Sequence, residues 1–323
     1  MDKILRIDVS GQEPTYSQEQ VGGYAGLGGR ALTSAMVNSE VPADCHPLGP
    51  ENKLVIAPGL LSGSAAVNAG RLSVGCKSPL TGGIKEANSG GQGANLLARL
   101  GYAAVVLEGE YKGGGPYLVR IGKDGVRVER DEGASMLTNY QLMERLQDDY
   151  SKDGAMISIG TAGEMRLPNS TVAVTDPEGR PTRHAGRGGV GAVMGSKGIK
   201  ALILDGSGTQ MRRAQDPEAF KEANKTFREG LRSHAVTGQG LPAYGTNVLT
   251  NIVNEAGGYP TYNFREGNYA DADKISGEAL AELEKSRGGK TEHACHRGCI
   301  IRCSGEFVDK DGHYVSKQPE YET

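Results

Sequence analysis

The chain has 323 residues, of which 37% are hydrophobic and 23% are charged, and its formal net charge is -3. No run of about 18 apolar residues occurs, so we expect no membrane-spanning helix. Neither this charge nor any basic block predicts binding to nucleic acid. The unusual figure is 49 glycine residues without a collagen-like period. Glycine lets the backbone approach a ligand closely, so loops that hold a large phosphate-bearing ligand are one interpretation and a loop-rich β protein is the other.

The first two-thirds of the chain is predicted to be rich in strands. Apolar or alternating segments indicate strands, and apolar residues at helical spacing indicate helices. The predicted strands are 3–9, 53–57, 71–76, 103–108, 117–121, 126–130, 155–159, 170–174 and 201–204, and the predicted helices are 31–37, 94–100 and 142–150. Lys123-Asp-Gly125 predicts a hairpin turn between two of these strands.

Helical patterns dominate after about residue 207. Asp216 and Pro217 predict the N-cap and the first position of a helix that continues over 219–231. Further helices are expected over 249–255 and from Ser276 to Glu284. The fold class is therefore α+β, with a strand-rich first domain over 1–207 and a mainly helical segment over 208–323.

Three of the five cysteines, Cys295, Cys299 and Cys303, fall within nine positions. Crowded thiolates repel each other unless a cation shares their charge, and a zinc ion or an iron–sulfur cluster is the usual solution. Both normally take four protein ligands. The fourth would be one of the buried thiols expected at Cys45 and Cys76, a residue other than cysteine, or part of a chain that continues beyond Thr323. The odd, clustered set and the lack of a secretory signal predict a reducing, cytoplasmic compartment.

Two glycine-rich segments are candidate ligand loops. One runs from Arg71 to Gly93 and ends in Asn88-Ser-Gly-Gly-Gln-Gly93 before a predicted helix, which suits an anion at a helix start. The other, residues 184–197, contains Gly-x-Gly-x-x-Gly at 186–191 with Asp205 downstream, as in dinucleotide-binding units. The polar stretch 178–184 before that motif is read as a loop rather than the required strand. A third cluster, 22–29, is expected to serve packing.

Together these segments resemble the aldehyde ferredoxin oxidoreductase family of tungsten enzymes. The matching stretches are 22–23 with 28–29, 69–71, 77–82, 88–91, 160–164, 185–197, 244–246 and 319–323. They follow the family's order, which is more specific than any single motif. The match covers the family's first domain and the start of its second, so we expect the chain to be a fragment or one piece of a split protein.

The resemblance implies a two-sheet platform that carries tungsten (or molybdenum) on two molybdopterins, a magnesium ion and a [4Fe–4S] cluster. The implied cofactor-binding residues are Arg71, Asn88, Gly90, His184, Ala185, Gly186 and Arg187, with the carbonyls of Asn88 and Ala185 on magnesium. Cys295, Cys299 and Cys303 would be cluster ligands, and Glu322 would be catalytic, close to the tungsten. Several family members space the first two cysteines as C-x-x-C, whereas Gly298 makes this spacing C-x-x-x-C. The fourth cluster cysteine, the second-domain pterin residues and the active-site histidine would lie beyond Thr323.

The implied reaction oxidises an aldehyde to a carboxylic acid with water and passes electrons singly to ferredoxin. The implied partners are an aldehyde-type substrate and ferredoxin, a homodimer is compatible with the resemblance, and neither nucleic acid nor a membrane is expected. Two alternatives stay open: a relative with the same cofactor that reduces an aromatic thioester, and a non-catalytic iron–sulfur electron-transfer subunit. A Rossmann dehydrogenase is the last rival.

Overall fold

The structure, a computed structural model, describes residues 2–148 and 153–317. It divides into two compact units, one ending at Ala214 and the other beginning at Gln215. The boundary predicted from the sequence, between residues 207 and 208, lies slightly before this division. None of the helices in the described ranges is long and apolar enough to span a membrane.

The first unit contains two six-stranded sheets, as the resemblance implied. The strands of the first sheet are β1 (Lys3–Asp8), β2 (Thr15–Gln20), β3 (Leu54–Pro58), β4 (Leu72–Lys77), β5 (Ile84–Ser89) and β6 (Tyr102–Glu108). Those of the second are β7 (Tyr117–Gly122), β8 (Gly125–Arg130), β9 (Ala155–Ser158), β10 (Val172–Val174), β11 (Arg183–Ala185) and β12 (Ile199–Leu204). The strand orders are β2-β1-β6-β3-β4-β5 and β11-β10-β9-β12-β7-β8. Both sheets are mixed, because β1 pairs in parallel with β6 and β7 with β12, while the other pairs are antiparallel.

Five helices complete the layers of this unit: α1 (Gly29–Glu40), α2 (Gly93–Arg99), α3 (Asn139–Leu146), α4 (Thr161–Glu164) and α5 (Val190–Ser196). Helix α1 packs on the outer face of the first sheet and α3 on the outer face of the second. Helices α2 and α5 share one apolar core with the inner faces of both sheets. The two glycine-rich segments therefore lead into helices that lie between the sheets. The last two residues of the helix predicted over 142–150 lie outside the described residues.

The second unit combines helices with a small sheet. Its elements are α6 (Pro217–Ser233), α7 (Leu241–Tyr244), α8 (Leu249–Glu255), α9 (Gly277–Arg287) and the antiparallel strands β13 (Lys290–His293), β14 (Ser304–Val308) and β15 (Tyr314–Lys317). The predicted cap of α6 is confirmed, since the Asp216 carboxylate accepts from the Ala219 N–H at 3.0 Å with Pro217 at the helix start. The sheet was not predicted, and it determines where the cysteines lie.

Candidate functional site

The edges of the two sheets meet in the first unit. Strand β5 is the last strand of the first sheet, β11 is the last strand of the second, and the two lie next to each other. Asn88 is on β5 and Ala185 is on β11, so both belong to strands and not to the loops predicted for them. An edge strand leaves backbone N–H and C=O groups outside the sheet's own hydrogen bonding. Both edges can therefore offer backbone carbonyl groups where the two sheets meet.

One hydrogen bond joins the two glycine-rich segments, and another joins the first segment to the second sheet. The Ser78 hydroxyl donates to the Gly188 carbonyl at 2.7 Å, and the Gln92 N–H donates to the Thr175 carbonyl, next to β10, at 2.8 Å. Gly188 has φ +86°, and a Cβ atom at this position would lie 2.2 Å from Cγ of Lys85 on β5. Only glycine allows this contact between a left-handed turn and the neighbouring strand. The two glycine-rich segments are therefore in contact.

Arg71 and Asn88 are in direct contact. Arg71 immediately precedes β4, and its Nε donates to the side-chain oxygen of Asn88 on β5 at 2.5 Å. The amide nitrogen of Asn88 in turn donates to the Ser73 hydroxyl at 3.3 Å. A half-buried guanidinium is therefore fixed beside the β5 edge, where it can offset the charge of an anionic ligand.

The remaining predicted pterin residues flank this edge. His184, on β11, shares a 2.9 Å hydrogen bond between its Nδ1 and the Thr171 hydroxyl. Gly90 is buried, Gly186 is half-buried and Arg187 is exposed. Gly189, in the left-handed region at φ +74°, caps the start of α5.

The dinucleotide-binding interpretation of this segment is wrong. Residues 183–185 form a strand, although 178–184 was read as a loop. That strand is antiparallel to its one neighbour in the sheet and is not adjacent to β12, which follows α5. A Rossmann unit needs two parallel strands joined through the helix. Asp205 lies in the turn after β12, where its carboxylate accepts from the Ser207 N–H.

The three clustered cysteines belong to the loop between β13 and β14 in the second unit. A tight turn begins this loop, because the Cys299 N–H donates to the His296 carbonyl at 3.1 Å. Gly298 occupies the third position of the turn with φ +91°. Such a turn favours glycine at this position, and it returns Cys299 towards Cys295.

Side-chain donor atoms of Cys295, His296 and Cys299 all lie within 4.8 Å of one another. A hydrogen bond from Cys295, together with the Arg302 N–H and the nearby His296, outweighs burial and lowers the pKa of the Cys299 thiol to about 5. Cys299 is therefore prepared to act as a thiolate ligand at neutral pH. Cys303 is half-buried further along the loop and is not a member of this group of three.

The other predicted residues are placed as follows. Cys45 and Cys76 are buried as expected, and burial alone raises the pKa of Cys76 to about 12. Glu322 lies outside the described residues. His296 and Ser78 were not among the predicted site residues. The position of His296 directly after Cys295 was the available signal for the first, and the matching stretch 77–82 contains the second.

Two family models match the chain. The aldehyde ferredoxin oxidoreductase N-terminal domain matches residues 4–206, and aldehyde ferredoxin oxidoreductase domains 2 and 3 match residues 222–323. The chain is similar to the tungsten-containing aldehyde ferredoxin oxidoreductase of Pyrococcus furiosus, with 41% identity over 84% of this chain and 44% of the relative. The corresponding protein of Thermococcus kodakarensis is 37% identical over 99% of this chain and 51% of the relative.

A less similar protein and a structural neighbour have other names. The aliphatic sulfonate oxidoreductase, WOR-like subunit, of Pyrococcus furiosus is 28% identical over 91% of this chain and 47% of that protein. A solved active site complex of benzoyl coenzyme A reductase with 1,5-dienoyl-CoA superimposes with a TM-score of 0.76 at 20% identity, over 98% of this chain and 48% of that one. The chain spans about half the length of the curated relatives it matches. By the family models that match residues 4–206 and 222–323, the chain belongs to the aldehyde ferredoxin oxidoreductase family.

Proposed function

We propose that the protein to which this chain belongs oxidises an aldehyde to a carboxylic acid and passes the electrons to ferredoxin. The reaction consumes one water and releases two protons and two electrons. The observation that carries the proposal is the meeting of the β5 and β11 edges, with Asn88 on one and Ala185 on the other, in a chain of this family.

The residues at this edge suit a bis-pterin cofactor with its phosphates. The Asn88 and Ala185 carbonyls would hold a magnesium ion, since magnesium prefers oxygen ligands. Arg71 would lie beside the pterin, held there by its bond to Asn88. Gly90, His184, Gly186 and Arg187 would line the phosphates, because phosphates bind to backbone N–H groups and to cationic or polar side chains. A tungsten centre on such pterins supplies the oxygen transfer and takes up the electron pair.

The cysteine loop suits a [4Fe–4S] cluster. Cys295 and Cys299 already lie close together around a turn, and the lowered pKa of Cys299 favours the thiolate that iron binds. Cys303 would supply a third thiolate. In this scheme the first unit is the tungstopterin platform and the second begins the domain that carries the cluster, with Glu322 near the reacting aldehyde.

Expression of the full-length protein in medium with tungstate tests the proposal. We expect tungsten bound to the purified protein and aldehyde-dependent reduction of a viologen dye. Protein produced without tungstate is the control and should be inactive. Activity with an aromatic thioester but not with aldehydes would select the alternative reductase. A protein with iron but without tungsten or molybdenum would select the electron-transfer subunit.

A further inference from the structure

We propose that the first unit binds a diphosphate group in a cavity that is separate from the candidate cofactor site. The cavity has a volume of about 430 Å³ and lies between the start of β1, the end of α2 and the turn that joins β7 to β8. The inference goes beyond the proposed function and rests neither on the pterin nor on the aldehyde reaction. It concerns a second anion site within the same unit.

The place of the cavity in the fold separates it from the meeting of β5 and β11. In the first sheet, whose order is β2-β1-β6-β3-β4-β5, the cavity is lined from β2, β1 and β6, at the end remote from β5. In the second sheet, β7 and β8 are at the end remote from β11. A ligand in this cavity would therefore share no contacts with one held by Asn88 and Ala185.

Three cationic side chains line the cavity, and none of its lining residues in the described part of the chain is acidic. The cations are Lys3, Arg99 and Lys123. Asp2, next to Lys3 in the sequence, does not line the cavity and is paired with Arg212 at 2.6 Å. Cations gathered around one space repel one another, so a bound anion would remove a repulsion that the protein otherwise carries.

Two of these cations have no ion pair with any residue that the structure describes. Nε of Arg99 is buried and has no hydrogen-bond partner among those residues. Lys123 is exposed in the β7–β8 turn, where a Cβ atom at Gly208 would lie 3.7 Å from its Nζ. Asp124, which follows Lys123, does not line the cavity. Because a buried N–H without an acceptor is costly, an acceptor supplied by a ligand would be favoured here.

Hydrogen bonds across β1, β2 and β6 present further donors to the same cavity. Nζ of Lys3 donates to Oε1 of Gln18 at 3.1 Å, and Nε2 of Gln18 donates to the Tyr102 hydroxyl at 3.0 Å. An ammonium group only donates, so the oxygen of the Gln18 amide faces Lys3 and its NH2 group faces Tyr102. The Tyr102 hydroxyl thus accepts from Gln18, and its own proton can be donated to a ligand.

These groups favour phosphate over other ligand classes. Phosphate oxygens accept hydrogen bonds and carry charge, and lysine, arginine and hydroxyl donors are the groups that bind them. Three cations suit an anion with more than one negative charge. The cavity volume lies within the range of roughly 300–1,000 Å³ that is typical of small-molecule sites, so there is room for a diphosphate. The diphosphate could be free or part of a nucleotide, and the two sources are separated by the test.

Calorimetric titration of the 323-residue chain with pyrophosphate in magnesium-free buffer tests the proposal. We expect Lys123→Ala and Arg99→Met each to weaken binding by about tenfold or more, since each removes a charge-assisted bond to phosphate. Lys310→Ala is the matched control, because this lysine of the β14–β15 turn is 82% exposed in the second unit, and it should bind as the wild type does. Circular dichroism checks that each variant is folded, and the exposed position of Lys123 keeps that variant informative if Arg99→Met does not fold.

Three outcomes would overturn the inference, and none of them bears on the aldehyde reaction. The first is a wild-type chain that does not bind pyrophosphate. The second is binding that is lost in Arg71→Ala but retained in Lys123→Ala, which would place the anion at the β5–β11 edge. The third is an equal loss in Lys310→Ala, which would show attraction to charge in general. With the inference upheld, tighter binding of ADP than of pyrophosphate would identify a nucleotide as the ligand, and equal or weaker binding a free diphosphate.

Discussion

The Ser78 hydroxyl donates a 2.7 Å hydrogen bond to the Gly188 carbonyl, between residues 110 positions apart in the chain. Ser78 is completely buried, and its oxygen also accepts from the N–H groups of Leu80 and Thr81. The Ser78 hydroxyl therefore hydrogen-bonds to backbone groups of both the turn after β4 and the turn before α5.

Replacement of Ser78 by alanine should destabilise the first unit. The Gly188 carbonyl would lose its buried donor, and an unsatisfied buried polar group costs roughly 1–3 kcal/mol. Urea unfolding of the 323-residue chain would measure the loss. Ser207→Ala, at an exposed serine in the turn after β12, is the control and should change the stability by less than about 0.5 kcal/mol. Equal stability of the two variants would contradict a structural role for the Ser78–Gly188 bond.

Arg71→Ala should reduce cofactor retention in the full-length protein while the fold is preserved. The lost guanidinium contacts are worth about 1.5–3 kcal/mol when the partner is charged. Tungsten per protein after dialysis is the measurement, and thermal unfolding of the apoprotein checks the fold. Arg127→Ala is the matched control, because the Arg127 side chain is 76% exposed on β8. The same tungsten content in both variants would remove Arg71 from the cofactor site.

Glu284→Gln should stabilise the chain at high pH. Glu284 is buried on α9, and burial raises its pKa to about 7. The unfolded chain ionises it near pH 4.3, so between these values the unfolded state binds fewer protons and stability falls as pH rises. The free-energy cost of ionising the buried Glu284 carboxyl in the folded state is fully present above about pH 7 and absent below about pH 4. We expect the glutamine variant to gain roughly 1–3 kcal/mol over the wild type at pH 8 relative to pH 4.

Urea unfolding at the two pH values measures this gain. Glu282→Gln, at an exposed position on the same helix, is the control and should show no comparable pH dependence. Parallel pH profiles for the wild type and Glu284→Gln would show that the Glu284 carboxyl ionises freely in the folded state.

Limited trypsin digestion should cut first after Arg213. The preceding residue is held in the first unit, since the Arg212 N–H donates to the Gly63 carbonyl at 2.8 Å and its guanidinium pairs with Asp2 at 2.6 Å. Arg213 is exposed in a segment without regular structure. Mass spectrometry should identify a resistant product that ends at Arg213, and Arg213→Gln should slow its formation. A first cut inside 1–205 would contradict an independently folded first unit.

The strands that could be predicted from the sequence are mostly those in the middle of the sheets. β3, β6 and β12 are almost entirely buried, so their residues are mostly apolar and give a clear pattern. In the first unit, the missed strands β2, β5 and β11 are all edge strands. β2 reads Thr-Tyr-Ser-Gln-Glu-Gln and is exposed along its whole length. β2 is a strand because it pairs with β1, and the residues of β2 alone do not indicate that pairing.

The difficulty of recognising edge strands in a sequence also explains which parts of the candidate site were predicted and which were not. The glycine motifs indicated which segments approach a ligand, because close packing needs glycine at positions such as Gly188. They did not show that Asn88 and Ala185 lie on strands, since polar edge strands resemble loops in sequence. The group around His296 depends on a turn and a ring orientation, and neither follows from cysteine spacing alone.

The meeting of β5 and β11 also sets an order of events during synthesis of the chain. The two strands are about a hundred residues apart, and contacts between distant segments form late because a long loop must close first. When residue 89 leaves the ribosome, the first edge has no partner. Any ligand held by both edges can be captured only after β11 has been made and the second sheet has formed. Insertion of such a ligand would therefore follow folding of this unit and could not guide its beginning.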